Sequence, residues 1–175
     1  MIKRELYMNR IRPFIGGELI KVMTGIRRSG KSVMLELIKE ELAEAGVAPS
    51  QMISINFEDM RYSHLQTATA LHDEIIKRAE GIEGKAYLFF DEIQEVEGWE
   101  KCVNSLRVAL DCDIYITGSN TKLLSGELAT YIGGRYVEFV IYPFSFAEFL
   151  ELYHTIAPSD SIQQCFQKYL LAGGM

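Results

Sequence analysis

Along this chain, short apolar runs alternate with stretches in which hydrophobic residues recur every three or four positions. Leu19-Ile-Lys-Val-Met23 is the first run, and Met34, Leu37, Ile38, Leu42 and Ala45 follow at helical steps before Gly46 and Pro49. The spacing predicts a buried strand, then a helix that begins at Lys31. Met52-Ile-Ser-Ile-Asn-Phe57 reads as a second strand, and Leu71, Ile75 and Ala79 mark one face of a short helix. Lys85-Ala-Tyr-Leu-Phe-Phe-Asp91 is nearly continuous in apolar character, which predicts a central strand covered on both sides. Trp99, Cys102 or Val103, Leu106 and Leu110 give a helix, and Asp113-Ile-Tyr-Ile-Thr117 a fourth strand. A helix around Thr121 to Tyr131 then leads to a fifth strand, Tyr136-Val-Glu-Phe-Val-Ile-Tyr142, closed by Pro143. Ser145 to Tyr153 and Ser159 to Leu171 read as two further helices, the second striped by Ile162, Phe166, Tyr169 and Leu170.

Strands separated by helices imply right-handed crossovers and a parallel sheet with helices on both faces, with ligands at the C-terminal strand ends. The 175 residues suit one domain with its own core. That domain is expected over 1–150. Residues 151–175 are expected to be a helical segment that starts a further C-terminal region, because Gly173-Gly174 normally connects onward to another element. A formal charge of −6 does not suggest a surface built for nonspecific nucleic-acid binding. There is no run of eighteen apolar residues and no signal-peptide core at the N-terminus, so the chain reads as cytoplasmic with no membrane partner. Cys102, Cys112 and Cys165 lack C-x-x-C spacing and read as structural thiols; the three histidines form no ligand cluster.

Candidate chemistry begins between the first strand and the first helix. Gly25-Ile26-Arg27-Arg28-Ser29-Gly30-Lys31-Ser32 matches G-x-x-x-x-G-K-[ST] at every fixed position, with Val33 following in the helix. Such a P-loop closes backbone N–H groups around a triphosphate, sends its lysine to the β- and γ-phosphates, and offers its serine hydroxyl to Mg²⁺. The strand before it and the helix after it aim loop amides and helix dipole at one point. The alternative reading is a glycine-rich turn in some other α/β protein. With a P-loop in place, the expected fold is a three-layer α/β sandwich with strand order 5-1-4-3-2 and the helical start of a lid at the C-terminus.

The third strand ends in Asp91-Glu92, sixty positions beyond Lys31, which is the Walker B pattern. Asp91 together with Ser32 can hold Mg²⁺, largely through water. Glu92, on the opposite side of the pleat, can orient and deprotonate an attacking water. The fourth strand ends in Thr117-Gly-Ser-Asn120, where Ser119 or Asn120 either contacts the γ-phosphate and its water or caps the next helix. Arg135, after Gly133-Gly134, either stabilises phosphoryl charge, in cis or from a neighbouring subunit, or is a surface arginine. Arg27 and Arg28 either contact phosphate or ribose or pair with acidic residues. The absence of an N-K-x-D guanine-reading motif tilts the nucleotide to ATP.

These residues together resemble the AAA+ branch of P-loop ATPases, and within it the prokaryotic AAA-domain proteins whose ATPase module precedes a C-terminal domain of uncharacterised function. Four segments carry the resemblance: Thr24 to Ser32, Phe90-Asp-Glu-Ile-Gln-Glu-Val-Glu-Gly-Trp99, Thr117-Gly-Ser119, and Gly134-Arg135 leading to Tyr142-Pro-Phe-Ser-Phe-Ala-Glu-Phe149. It implies Mg²⁺-dependent ATP hydrolysis with Lys31 and Ser32 as Walker A, Asp91 and Glu92 as Walker B, and Ser119 or Asn120 at the sensor position. It implies that Arg135 stands where AAA+ proteins often carry an arginine finger, so a homo-oligomer is a further expectation if Arg135 acts in trans. Turnover by this chain alone is then expected to be slow, and its output to lie in a C-terminal domain. Two alternatives stand beside this reading: a nucleotide-dependent switch with negligible turnover, and a small-molecule kinase.

Overall fold

The strand with the most continuous apolar character, β3 (Ala86–Asp91), lies inside a five-stranded parallel sheet of order β2-β3-β4-β1-β5. In this computed structural model, which describes residues 2–119, 123, 132–156 and 160–172, the other strands are β1 (Ile20–Gly25), β2 (Met52–Asn56), β4 (Cys112–Ser119) and β5 (Tyr136–Val140). The order is the expected 5-1-4-3-2. The helices are α1 (Glu5–Ile11), α2 (Lys31–Glu44), α3 (Ala68–Ala79), α4 (Trp99–Ala109), α5 (Phe146–Ile156) and α6 (Ile162–Ala172). Thr67 caps α3 by accepting the Ala70 N–H, and Lys77 and Arg78 sit in its last turn, where the helix dipole favours positive charge. The helix expected around Thr121 to Tyr131 lies, apart from Leu123, outside the described residues. Residue 150, the expected domain boundary, falls inside α5.

Pleat alternation splits each central strand between two cores. Val22, Leu88, Phe90, Ile114 and Ile116 face one core, against Leu71, Ile75, Val103 and Leu106 of α3 and α4. Met23, Phe89 and Tyr115 face the other, against Met34, Leu37 and Ile38 of α2 and Tyr7, Met8 and Ile11 of α1. Helix α1 is absent from the hydrophobic pattern because seven residues supply too few turns to show a period. Tyr7, Met8 and Ile11 are nonetheless buried and packed with α2, while Leu6 is exposed. Burial pushes the Cys102 thiol up to about 12, in keeping with a structural cysteine. No helix among the described residues is long and apolar enough to cross a membrane.

One polar cluster is sealed inside the second core. Lys21 and Asp113, both fully buried, form an ion pair across β1 and β4. Asp113 also accepts the Gly16 N–H at 2.6 Å and the Tyr115 hydroxyl at 2.7 Å, while the Lys21 ammonium donates to Gly17 O at 3.1 Å. Burial pulls the Lys21 ammonium below its ordinary value, with the Asp113 charge opposing that shift. The cluster pins the loop that enters β1.

Asp113→Ala leaves the Lys21 ammonium buried without its counter-charge, and is expected to cost about 3–5 kcal/mol in urea unfolding. Asp111→Ala, which removes only the exposed partner of Lys85, is expected to cost less than about 1 kcal/mol.

Candidate functional site

The parallel register brings the strand ends that carry chemistry to one edge. Gly25 pairs with Ser119, and Asn56 with Asp91. Beyond Gly25 the chain turns through a loop whose backbone needs glycine. Gly25 has φ +153, and a Cβ there would stand 2.2 Å from Ile141 O and 2.7 Å from Ser29 Oγ. Gly30 has φ +95 and opens α2, and Arg28 is left-handed at φ +65. Ile26, Arg27, Arg28, Ser32 and Val33 are exposed, whereas Ser29 is buried and its hydroxyl has no partner among the described residues. Lys31 is only 5% exposed, and its ammonium lies 3.4 Å from Gly25 O and 3.3 Å from Ile26 O. The loop wraps around its own lysine.

Two carboxylates face that lysine's side of the edge. Asp91 is buried at the end of β3 and accepts the Thr117 hydroxyl proton at 2.5 Å, while Thr117 Oγ1 accepts the Glu92 N–H at 3.0 Å. Thr117 thus ties β4 to the acidic pair. Glu92 does not continue the pleat: it takes a left-handed conformation, φ +55 and ψ +48, and starts a short 3-10 turn, Ile93–Glu95. Its side chain is swung back to the loop, Oε1 at 3.5 Å from Lys31 Nζ, and Oε2 accepts a 2.6 Å hydrogen bond from Gln94 Nε2. Gln94 Oε1 is buried and has no partner among the described residues. Lys31, Glu92, Gln94 and Ser119 line a cleft of about 300 Å³, with Arg27 and Glu58 at its mouth. Arg27 and Glu58 are 3.9 Å apart and both exposed, a contact worth little in water.

The other expected site residues fall elsewhere. Asn120 lies outside the described residues. Arg135 is exposed, donates to Asn104 Oδ1 at 3.0 Å, and precedes β5 at the opposite edge of the sheet, where its carbonyl accepts the Ile20 N–H. Five residue steps along β1 separate Ile20 from Gly25, roughly 17 Å at the usual strand rise. Arg135 therefore does not reach the loop of its own chain. Thr117 and Gln94, quoted above only as parts of motifs, hold the two carboxylates. The sequence signal for Thr117 is a hydroxyl at the end of an otherwise apolar strand.

The residues present fit the groups that such a loop implies. Gly25 has no room for a Cβ and Gly30 takes a left-handed conformation, so the loop can curl with its amides free for phosphate, to which the buried Lys31 ammonium would supply the counter-charge. Ser32 and Asp91 are hard oxygen donors at the same edge, suited to Mg²⁺, which takes one or two protein ligands and completes its shell with phosphate and water. Among the described residues no three His, Cys, Asp or Glu side chains gather into a group able to hold a metal ion.

A model of the AAA domain matches residues 18–150, from the entry into β1 to the middle of α5. The chain belongs to the AAA domain family. An uncharacterised protein of Haemophilus influenzae is 43% identical over 174 residues, covering 99% of this chain and 44% of that protein. An uncharacterised protein of Methanocaldococcus jannaschii is 41% identical over 133 residues, 75% of this chain and 28% of that one. The chain thus spans less than half the length of these relatives. Among solved structures, the Aeropyrum pernix ORC1 protein in complex with DNA superposes with a TM-score of 0.62 at 16% identity, covering 89% of this chain and 49% of that one. AMPPCP-bound DnaA from Aquifex aeolicus gives 0.56 at 15%, covering 90% and 52%. At those identities the likeness is one of fold. With the family match, it makes this an AAA-type nucleotide-binding domain.

In this AAA domain, Gly25→Ala places a methyl against a backbone carbonyl that cannot rotate away, so loss of most of the folded population is expected by circular dichroism. Gly46→Ala, at φ +91 with no atom within 4 Å, is expected to lower stability by about 1 kcal/mol through backbone strain alone.

Proposed function

We propose that this AAA domain binds ATP and hydrolyses it with Mg²⁺, and that the cycle drives a change in an attached or partner domain. The observation that carries the reading is Glu92, a carboxylate turned back from the end of β3 onto the Lys31 ammonium of the phosphate loop. In the bound state the N–H groups of the loop and the Lys31 ammonium take the phosphate oxygens. Mg²⁺, when bound through Ser32 and Asp91, would neutralise charge on the β- and γ-phosphates. Glu92 accepts a proton from water as that water's oxygen bonds to the γ-phosphorus and the bond to the β-phosphate oxygen breaks, giving ADP and phosphate. Ser119 lines the same cleft, and in this reading its hydroxyl holds that water or the γ-phosphate.

Both oxygens of Glu92 are engaged, one by Lys31 and one by Gln94. A triphosphate that draws Lys31 away frees one of them. Gln94 is therefore a positioning residue for the base. The same clamp supports the second reading, a switch that binds nucleotide and turns it over negligibly. Arg135, exposed at the far edge, serves this reading only in trans, on the nucleotide of a neighbouring subunit. The region from residue 151 onward begins the part through which the output passes.

Glu92→Gln is expected to abolish Mg²⁺-dependent phosphate release while nucleotide affinity stays within about threefold of the parent chain; equal turnover in the two proteins would remove Glu92 from the chemistry. Binding without turnover in both would select the switch. Arg135→Ala is expected to lower turnover at protein concentrations where specific activity rises with concentration, and to leave nucleotide affinity unchanged. Specific activity that is flat while the oligomeric state changes would count against action in trans.

A further inference from the structure

Arg4 is the one described arginine that is almost wholly buried, at 2% exposure, and it lies outside every motif discussed above. It is held in the left-handed region, φ +38 and ψ +51, immediately before α1. A non-glycine residue keeps such a conformation only where its surroundings over-determine it. Here they do. Nη1 donates to Ser29 O of the phosphate loop at 2.8 Å, Nη2 to Tyr142 O after β5 at 2.7 Å, and Nε to Glu148 Oε1 of α5 at 2.8 Å. The guanidinium carbon lies 4.6 Å from the ring centroid of Tyr7 and 5.0 Å from that of Phe144. Tyr7 in turn accepts the Tyr142 N–H at 3.1 Å on its hydroxyl, so both sides of residue 142 are held by the N-terminal segment. Burial works to raise the Glu148 carboxyl, but Arg4 and the Ser145 amide and hydroxyl outweigh it and hold it below the usual carboxylate range.

One planar group thus meets three chain segments: the phosphate loop, the exit from β5, and α5. A trans peptide points its C=O and N–H to opposite sides. Holding Ser29 O on Arg4 therefore holds the Gly30 N–H pointing the other way, as one of the amides that a phosphate would use. Resting on the nucleotide-binding reading, we propose that Arg4 is a positioning residue that sets the Ser29–Gly30 peptide for phosphate and couples it, through Glu148, to the placement of α5. Any rotation of that peptide on nucleotide binding changes a hydrogen bond of a buried cation, and a buried cation has no water with which to replace it. The strain passes to Glu148 and Tyr142. The planar fork is essential to this arrangement, because a lysine ammonium in its place keeps the charge but cannot span three segments in one plane.

The test compares the chain with its Arg4→Lys and Glu148→Gln variants, using Mg²⁺ and AMPPCP as the probe. Affinity is measured by titration calorimetry, and amide hydrogen exchange is followed over residues 146–156 with and without the probe. Arg4→Lys is expected to bind about tenfold more weakly, the usual loss for a charged hydrogen bond. Glu148→Gln is expected to bind within about threefold of the parent, by the same free-energy scale, yet to lose the nucleotide-dependent change in exchange across α5. A purely structural role would lower the melting temperature of both variants and leave that exchange response in place, which overturns the proposal. Arg4→Lys binding as tightly as the parent also overturns it, without touching the nucleotide reading. If Arg4→Lys does not fold, Glu148→Gln decides alone. A parent chain that binds no nucleotide overturns both readings together.

Discussion

A buried ammonium must be surrounded by oxygen, and at the C-terminal edge of this sheet that requirement organises everything else. Lys31 is nearly enclosed, and carbonyl oxygens of Gly25 and Ile26 and the Glu92 carboxylate are its partners. For the loop to offer those carbonyls it must curl tightly, which demands glycine at Gly25 and Gly30. For Glu92 to reach inward it must leave the strand in a left-handed turn, and the Thr117 hydroxyl on its amide holds it there. The conformation of a whole edge follows from one charge that cannot be left unpaired.

The same economy explains why polar atoms without partners concentrate here. Ser29 Oγ and Gln94 Oε1 are both buried, lie within the loop or the cleft, and have no partner among the described residues. Buried polar groups are ordinarily satisfied, so each exception calls for a physical reason. At the opposite edge the buried cluster of Lys21, Asp113 and Tyr115 is closed on itself, each charge and hydroxyl with a partner. One end of the sheet is closed on itself, and the other carries the polar side chains that line the cleft.

Arg4 extends the site beyond the sheet. It joins a segment that precedes the first strand to one that follows the last, with the phosphate loop between them. The segments that flank the sheet in the chain thereby share one group with the loop, which links the loop physically to α5.

The strands, their parallel arrangement and the phosphate loop were legible in the sequence because they rest on local signals: period, apolar runs and a fixed spacing of glycine and lysine. The strand order 5-1-4-3-2 was also within reach once the loop was recognised, and the structure has it. The roles of Lys31, Asp91 and Glu92 in catalysis remain a reading of those motifs joined to their proximity. What only the tertiary structure decided are the contacts between residues far apart in the chain: Arg4 on Ser29 and Glu148, Thr117 on Asp91, and the placement of Arg135 away from its own loop. A lone arginine near the N-terminus has no period and no motif, and α1 is too short to display either. Residue type and spacing determine which groups are available, but burial and the geometry of hydrogen bonding determine which of them meet, and that is set by packing over the whole chain.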